Sequence, residues 1–127
     1  MAQLVTLRGD SSVLTAAMAE FWGSVIVERE LGATLRNSRD KMWVVAFFDG
    51  STIGFSGIVS GSHFCSAYVL PAFRQRGVYG EMIQERLAVT SGTVTTIASE
   101  ASRTALVRSG FAQTGKRGRF FKMELVR

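Results

Sequence analysis

Residues 68–87 read Tyr68-Val69-Leu70-Pro71-Ala72-Phe73-Arg74-Gln75-Arg76-Gly77-Val78-Tyr79-Gly80-Glu81-Met82-Ile83-Gln84-Glu85-Arg86-Leu87. The order predicts an apolar strand, a basic glycine turn and an amphipathic helix. A helix that begins where a strand ends points its unpaired N–H groups outward, a ready seat for phosphate oxygens. Arg74 and Arg76 add positive charge beside that seat, and Gly77 lets main chain approach a ligand without a Cβ in the way. A plain strand-turn-helix corner uses the same residues for geometry alone, so the rest of the chain must weigh in. Two common nucleotide loops are excluded. The chain has no Gly-x-x-x-x-Gly-Lys-Ser/Thr, and no Gly-x-Gly-x-x-Gly follows a strand.

Upstream, Leu4, Val5 and Leu7 predict a short strand, and Gly9-Asp10-Ser11-Ser12 supplies a turn and an N-cap. Leu14, Met18, Phe21 and Val25 recur at helical spacing, interrupted at Trp22 and Gly23. A second short helix is expected over residues 28–36, with Asn37 and Asp40 at its exit. Residues 42–48 are rich in β-branched and aromatic side chains, and Asp49-Gly50 is a hairpin signal before residues 52–59. Ser60-Gly61-Ser62 turns the chain into a third strand over residues 63–70, which Pro71 ends.

Downstream, residues 79–89 form the helix, with Met82 and Ile83 placed to pack on the sheet and Arg86 and Leu87 nearby. A strand over 91–98 then pairs parallel through a crossover of adequate length. A helix over 101–109 stops at Gly110, and residues 111–114 and 120–126 close the sheet as a hairpin. Lys116-Arg117-Gly118-Arg119 reads as its solvated turn.

Arg74-Gln75-Arg76-Gly77-Val78-Tyr79 resembles the cofactor motif Gln/Arg-x-x-Gly-x-Gly/Ala of the GNAT superfamily of N-acetyltransferases, and Tyr68, Val69, Leu70 and Pro71 match the strand end before it. Ala105-Leu106-Val107-Arg108-Ser109-Gly110-Phe111 is similar to that family's Leu-Tyr-x-Lys-x-Gly-Phe segment, and Phe120, Phe121, Met123 and Leu125 resemble its last strand. The resemblance implies an α+β (mixed α/β) fold, one domain over residues 1–127. Its sheet would be mostly antiparallel, of six to seven strands with one parallel splayed pair and about four helices around it. It also implies acetyl transfer from acetyl-CoA to a primary amine by direct attack.

On the same basis Tyr68, Val69, Leu70, Arg74, Gln75, Arg76, Gly77, Val78, Tyr79 and Gly80 would hold the cofactor, with backbone amides near Val69 and Leu70 facing the oxyanion. His63, the one histidine, falls where some members, notably histone acetyltransferases, carry a glutamate base. Trp22 would stand in the acceptor wall. Two positions depart from the pattern. Tyr79 replaces the motif's last Gly/Ala, and Leu106 occupies the site of the usual general-acid tyrosine, so no acid is named.

At 127 residues, 46% hydrophobic with one proline, the chain suits one globular core. Fifteen basic against ten acidic side chains leave a formal charge of +5, which favours an anionic ligand or partner. Cofactor steering is preferred over nucleic acid, which stays an open alternative alongside a catalytically weak coenzyme A-binding module. Cys65 is alone, so no intramolecular disulfide forms, and one His with one Cys gives no closed metal-ligand set. The chain lacks the layout of a secretory signal and any apolar run long enough to span a bilayer, so a cytoplasmic protein is expected. The acceptor's identity stays open, and a homodimer through Trp43, Phe47 or Phe48 is not excluded.

Overall fold

Strict alternation along residues 42–48 divides the protein into two apolar layers. Trp43 and Val45 go to one side of the sheet and Val44 and Ala46 to the other, all four fully buried. The structure is a computed structural model that describes residues 2–127. Its elements are β1 (Gln3–Arg8), α1 (Ser12–Ala17), α2 (Val25–Leu31), β2 (Met42–Phe48), β3 (Ser51–Val59), β4 (His63–Val69), a 3-10 turn (Pro71–Phe73), α3 (Val78–Ala88), β5 (Val94–Ala98), α4 (Glu100–Arg108), β6 (Ala112–Arg117) and β7 (Phe120–Leu125). They build one seven-stranded sheet in the order β1-β2-β3-β4-β5-β7-β6, antiparallel except for β4 against β5.

The first face meets Leu14, Met18, Phe21 and Val27 of the α1–α2 region, which pack on Trp43, Val45, Phe55 and Tyr68. The second face meets α3 through Val78 and Met82 and α4 through Leu106. Met82 and Ile83 are wholly removed from water, each stabilising by about 1.5–3 kcal/mol. The apolar stripe from Leu14 to Val25 is not one helix. Gly23 takes φ 76°, and Ser24 starts a new helix by accepting from the Val27 N–H at 3.3 Å. α2 therefore starts three residues and ends five residues before the 28–36 expected, and Gly32 ends it in the left-handed region at φ 73°. Trp22 packs edge-on against Trp43, ring centroids 5.5 Å apart, instead of standing in a pocket wall. Lys116 and Arg117 belong to β6, which runs past residue 114 and leaves Gly118-Arg119 as the turn.

Asp49 and Gly50 both have positive φ, 51° and 77°, as a two-residue hairpin turn requires. The parallel pair is short: only His63↔Thr95 and Phe64↔Thr96 are in register. Beyond them β4 bulges, because Cys65 opposes Gly57 while Tyr68 opposes Phe55, so Ser66 and Ala67 together face Ser56 alone. Ser66 holds φ 52° to make that bend. The Thr96 hydroxyl also caps the pairing by donating to the Phe64 carbonyl at 2.8 Å. The two strands part from this point to their C-terminal ends. Among the described residues no helix is long and apolar enough to cross a membrane, and no cluster of side chains could hold a metal ion.

Candidate active site

The parting of β4 and β5 opens a cleft of about 1700 Å³ that passes through the sheet. One end is lined by Gly77, Val78 and Gly80 of α3, the other by Glu30, Gly32 and Phe120. A Cβ at Gly32 would stand 3.2 Å from Phe120 Cζ, so the end of α2 touches the start of β7 and bridges the far end.

At the α3 end, Gly77 is the N-cap at φ 84° and offers no side-chain oxygen to the helix. The Glu81 N–H makes a 3.0 Å bond to the Gly77 carbonyl. The N–H groups of Val78, Tyr79 and Gly80 therefore precede the first intrahelical bond and need outside partners. A Cβ at Gly77 or Gly80 would meet no atom within 4 Å, so the approach to this row is open. The Tyr79 ring packs against the apolar clusters beneath α3. Free donors, open space and the positive end of a helix dipole suit a phosphate-bearing ligand. Arg76 is exposed, lies 5.7 Å from the Phe73 ring and has no ion-pair partner among the described residues. Gln75 beside it is exposed at φ 61°. Arg74 is engaged elsewhere: Nη2 meets Glu30 at 2.6 Å and Nε donates to the Val69 carbonyl at 2.8 Å.

Along the middle of the cleft the backbone of β4 sets the donors. Leu70 spends its N–H on the Ile53 carbonyl at 2.8 Å. Alternation along an antiparallel ladder then turns the Val69 N–H to the other edge, toward the gap. Of the two amides expected near an oxyanion, Val69 faces the cleft and Leu70 faces β3. Tyr68 projects to the α2 face, stacked on Phe55 at 5.6 Å, with its hydroxyl donating to Glu30 at 3.2 Å. Burial, and then the Glu30 charge, raise the pKa of that phenol. The hydrogen bond from Arg74 is the main reason the Glu30 carboxyl sits below its ordinary range.

His63 begins β4 on the same sheet face as Cys65, two residues on. Its Nδ1 lies 2.9 Å from the Thr95 hydroxyl, the ring is half-buried, and burial lowers its pKa. Both His63 and Cys65 line the cleft. Leu106 is only 1% exposed and packs in the cluster with Ile83, Phe111 and Met123, below the cleft surface. α4 instead presents Ser102 and Ser109 to the cleft, and the Ser109 hydroxyl is held by the Ala105 carbonyl at 3.0 Å. Two lining residues escaped the sequence reading. Glu30 had no signal, because its partners lie 38 and 44 residues away. Arg86 had one: it follows Tyr79, Met82 and Ile83 at helical spacing, a charge on the apolar face of α3.

The sequence model of a family described as an acetyltransferase (GNAT) domain matches residues 9–127. Among solved structures, an acyl-CoA N-acyltransferase from Pseudomonas aeruginosa is similar with TM-score 0.77 at 14% identity, over 99% of this chain and all of that one. Escherichia coli ElaA gives TM-score 0.75 at 13% identity, covering 98% of this chain and 99% of its own. The PaiA N-acetyltransferase from Thermoplasma acidophilum, solved in complex with coenzyme A, gives 0.64 at 13% over all of this chain and 99% of that one. At such identities these likenesses concern the fold. Comparison with curated proteins finds no match.

Proposed function

The chain belongs to the GNAT acetyltransferase family, and from that premise we propose that it is an N-acetyltransferase taking its acetyl group from acetyl-CoA and passing it to a primary amine by direct attack. The observation that carries the reading is the through-sheet cleft, with the uncapped N-terminus of α3 at one end and the His63 face at the other. The coenzyme A complex of the structurally similar Thermoplasma protein supports a coenzyme A thioester as the donor here. In this reading the N–H groups of Val78, Tyr79 and Gly80 hold the pyrophosphate, with Arg76 as the free cation and Gln75 and Gly77 shaping the turn. Tyr68, Val69, Leu70 and Arg74 border the arm. The donor supplies a thioester; the chain positions it, offers the Val69 N–H to the carbonyl oxygen, and keeps water from the gap.

His63 accepts the ammonium proton, directly or through a water, which its lowered pKa suits near neutral pH. The domain occupies residues 1–127, and we place it in the cytoplasm, where a lone Cys65 stays reduced. Leu106, buried where a tyrosine donor would be needed, favours a second reading as a coenzyme A-binding module with little turnover.

Thiol release from acetyl-CoA with a panel of small amines, amino acids, peptides and nucleobase amines separates these readings. An enzyme releases thiol faster with at least one acceptor than without any, and His63→Ala slows that rate about a hundredfold. A flat response across the panel, with coenzyme A still bound, contradicts the transferase and leaves the module.

A further inference from the structure

Arg86 is 1% exposed, yet it carries a full positive charge into the second apolar layer. Its guanidinium lies 4.2 Å over the Phe64 ring, and Nε and Nη1 reach the carbonyls of Met82 and Gly57 only at 3.4 Å each. Among the described residues no carboxylate stands within ion-pair distance of it. A buried cation without a counter-charge is among the most unfavourable arrangements a core can hold, and an apolar side chain of similar volume would fill the space at lower cost. Burial pushes its pKa down, but an arginine stays charged in a protein. The groups near enough to favour that charge are the Tyr79 hydroxyl on its own helix and the Cys65 thiol on β4, while β3 offers the Gly57 carbonyl.

Its place in the fold explains where a negative charge would come from. Arg86 lines the cleft beside Phe64, Cys65 and Thr96, where the pairing of β4 with β5 ends. Of the arginines lining the cleft it alone is buried; Arg74, Arg108 and Arg117 are exposed. From Val78 to Arg86 the helix rises about 12 Å from the phosphate seat toward the closed end of the gap. The side chain leans back one turn toward the helix N-terminus, where Nε meets the Met82 carbonyl, and it borders the cleft.

We propose that Arg86 is the fixed counter-charge for the sulfur of the departing coenzyme A. The inference rests on the acyl-CoA reading above and adds a residue to it. As the amine nitrogen bonds to the thioester carbon, the carbon–sulfur bond breaks and its electron pair stays on sulfur. The incoming ammonium first gives one proton to His63 or water, the second proton, shed from nitrogen as the amide forms, passes to water, and Arg86 keeps its own protons throughout. Sulfur thus leaves as a stabilised thiolate, and the absence of a proton donor at Leu106 ceases to be a defect.

Binding tests this without turnover. Calorimetry compares coenzyme A with its desulfo analogue at about pH 8, and ultraviolet absorbance titrates the bound thiol in the parent, Arg86→Leu, Arg86→Met and Arg86→Lys. The parent should lower the pKa of the bound thiol by about one unit and so prefer the thiol ligand, by a factor that grows with pH toward about tenfold above the free thiol's pKa. Arg86→Leu and Arg86→Met should bind the desulfo analogue as the parent does and lose the preference, while Arg86→Lys keeps part of it. An undiminished preference in a folded Arg86→Leu, or none in the parent, overturns the proposal. If the apolar variants do not fold, the thiol titrations of the parent and Arg86→Lys decide: an unshifted thiol in both overturns it. Binding of neither ligand to the parent removes the acyl-CoA reading itself, and this proposal with it.

Discussion

Gly77 concentrates the account in one residue. Its φ of 84° is strained for any residue with a Cβ, yet a Cβ there would meet nothing within 4 Å, so strain and ligand approach can be told apart. Gly77→Ala should cost about 1 kcal/mol of stability in denaturant titration. It should also weaken coenzyme A more than the stability loss alone explains. His63 gives a prediction in pH. Its pKa is lowered by burial, so the folded state resists protonation more than the unfolded chain does. The stability it contributes is complete above the ordinary histidine pKa of about 6.5 and falls as pH drops through and below that value. The acid limb of kcat/KM should lie below that pKa and vanish in His63→Ala. Gly77 was legible because a turn at positive φ ahead of a helix is open to few residues other than glycine. Arg86 was legible only in part: its spacing put a charge on the apolar face of α3, but a long charged side chain there ordinarily reaches solvent, and only the packing of Phe64 and Gly57 against it shows that it does not.

The elements around the cleft are joined by a few long-range contacts that local patterns do not reveal. Glu30 ties α2 to Tyr68 of β4 and to Arg74 beyond it. With its carboxyl held below the usual range chiefly by Arg74, the tie is intact above the ordinary carboxylate pKa and is lost as pH falls through the lowered folded value. Glu30→Gln should therefore leave melting nearly unchanged near neutral pH, since the pair is half-exposed, but speed proteolysis of α2. Replacing Leu106 by tyrosine should not restore an acid. The side chain is buried among Ile83, Phe111 and Met123, and the larger ring should destabilise by about 1–3 kcal/mol in thermal melts without raising kcat. The α1 stripe was legible from its spacing, but the α1–α2 boundary was misplaced because Gly23 and Ser24 act through backbone geometry and a single cap.

For the whole molecule, the order of strand, glycine turn, helix and parallel strand anticipated a mixed sheet with one parallel crossover, and the resemblance to the GNAT superfamily implied that this pair splays within a mostly antiparallel sheet. Seven strands in the order β1-β2-β3-β4-β5-β7-β6 bear that out, as do four helices. The bulge at Ser66 was not legible, since it depends on the register of β4 against β3 and β5, which no local residue pattern sets. That bulge and the short parallel pair turn a sheet into a passage, and in the proposed function the passage lets a phosphate seat at one end serve an acceptor at the other. The most direct measurement of this claim is a calorimetric titration of coenzyme A into the parent protein and into Gly77→Val. Saturable binding at one ligand per chain is expected, weakened about tenfold or more in the variant. Absence of binding to the folded parent, or equal affinity in both proteins, would contradict it.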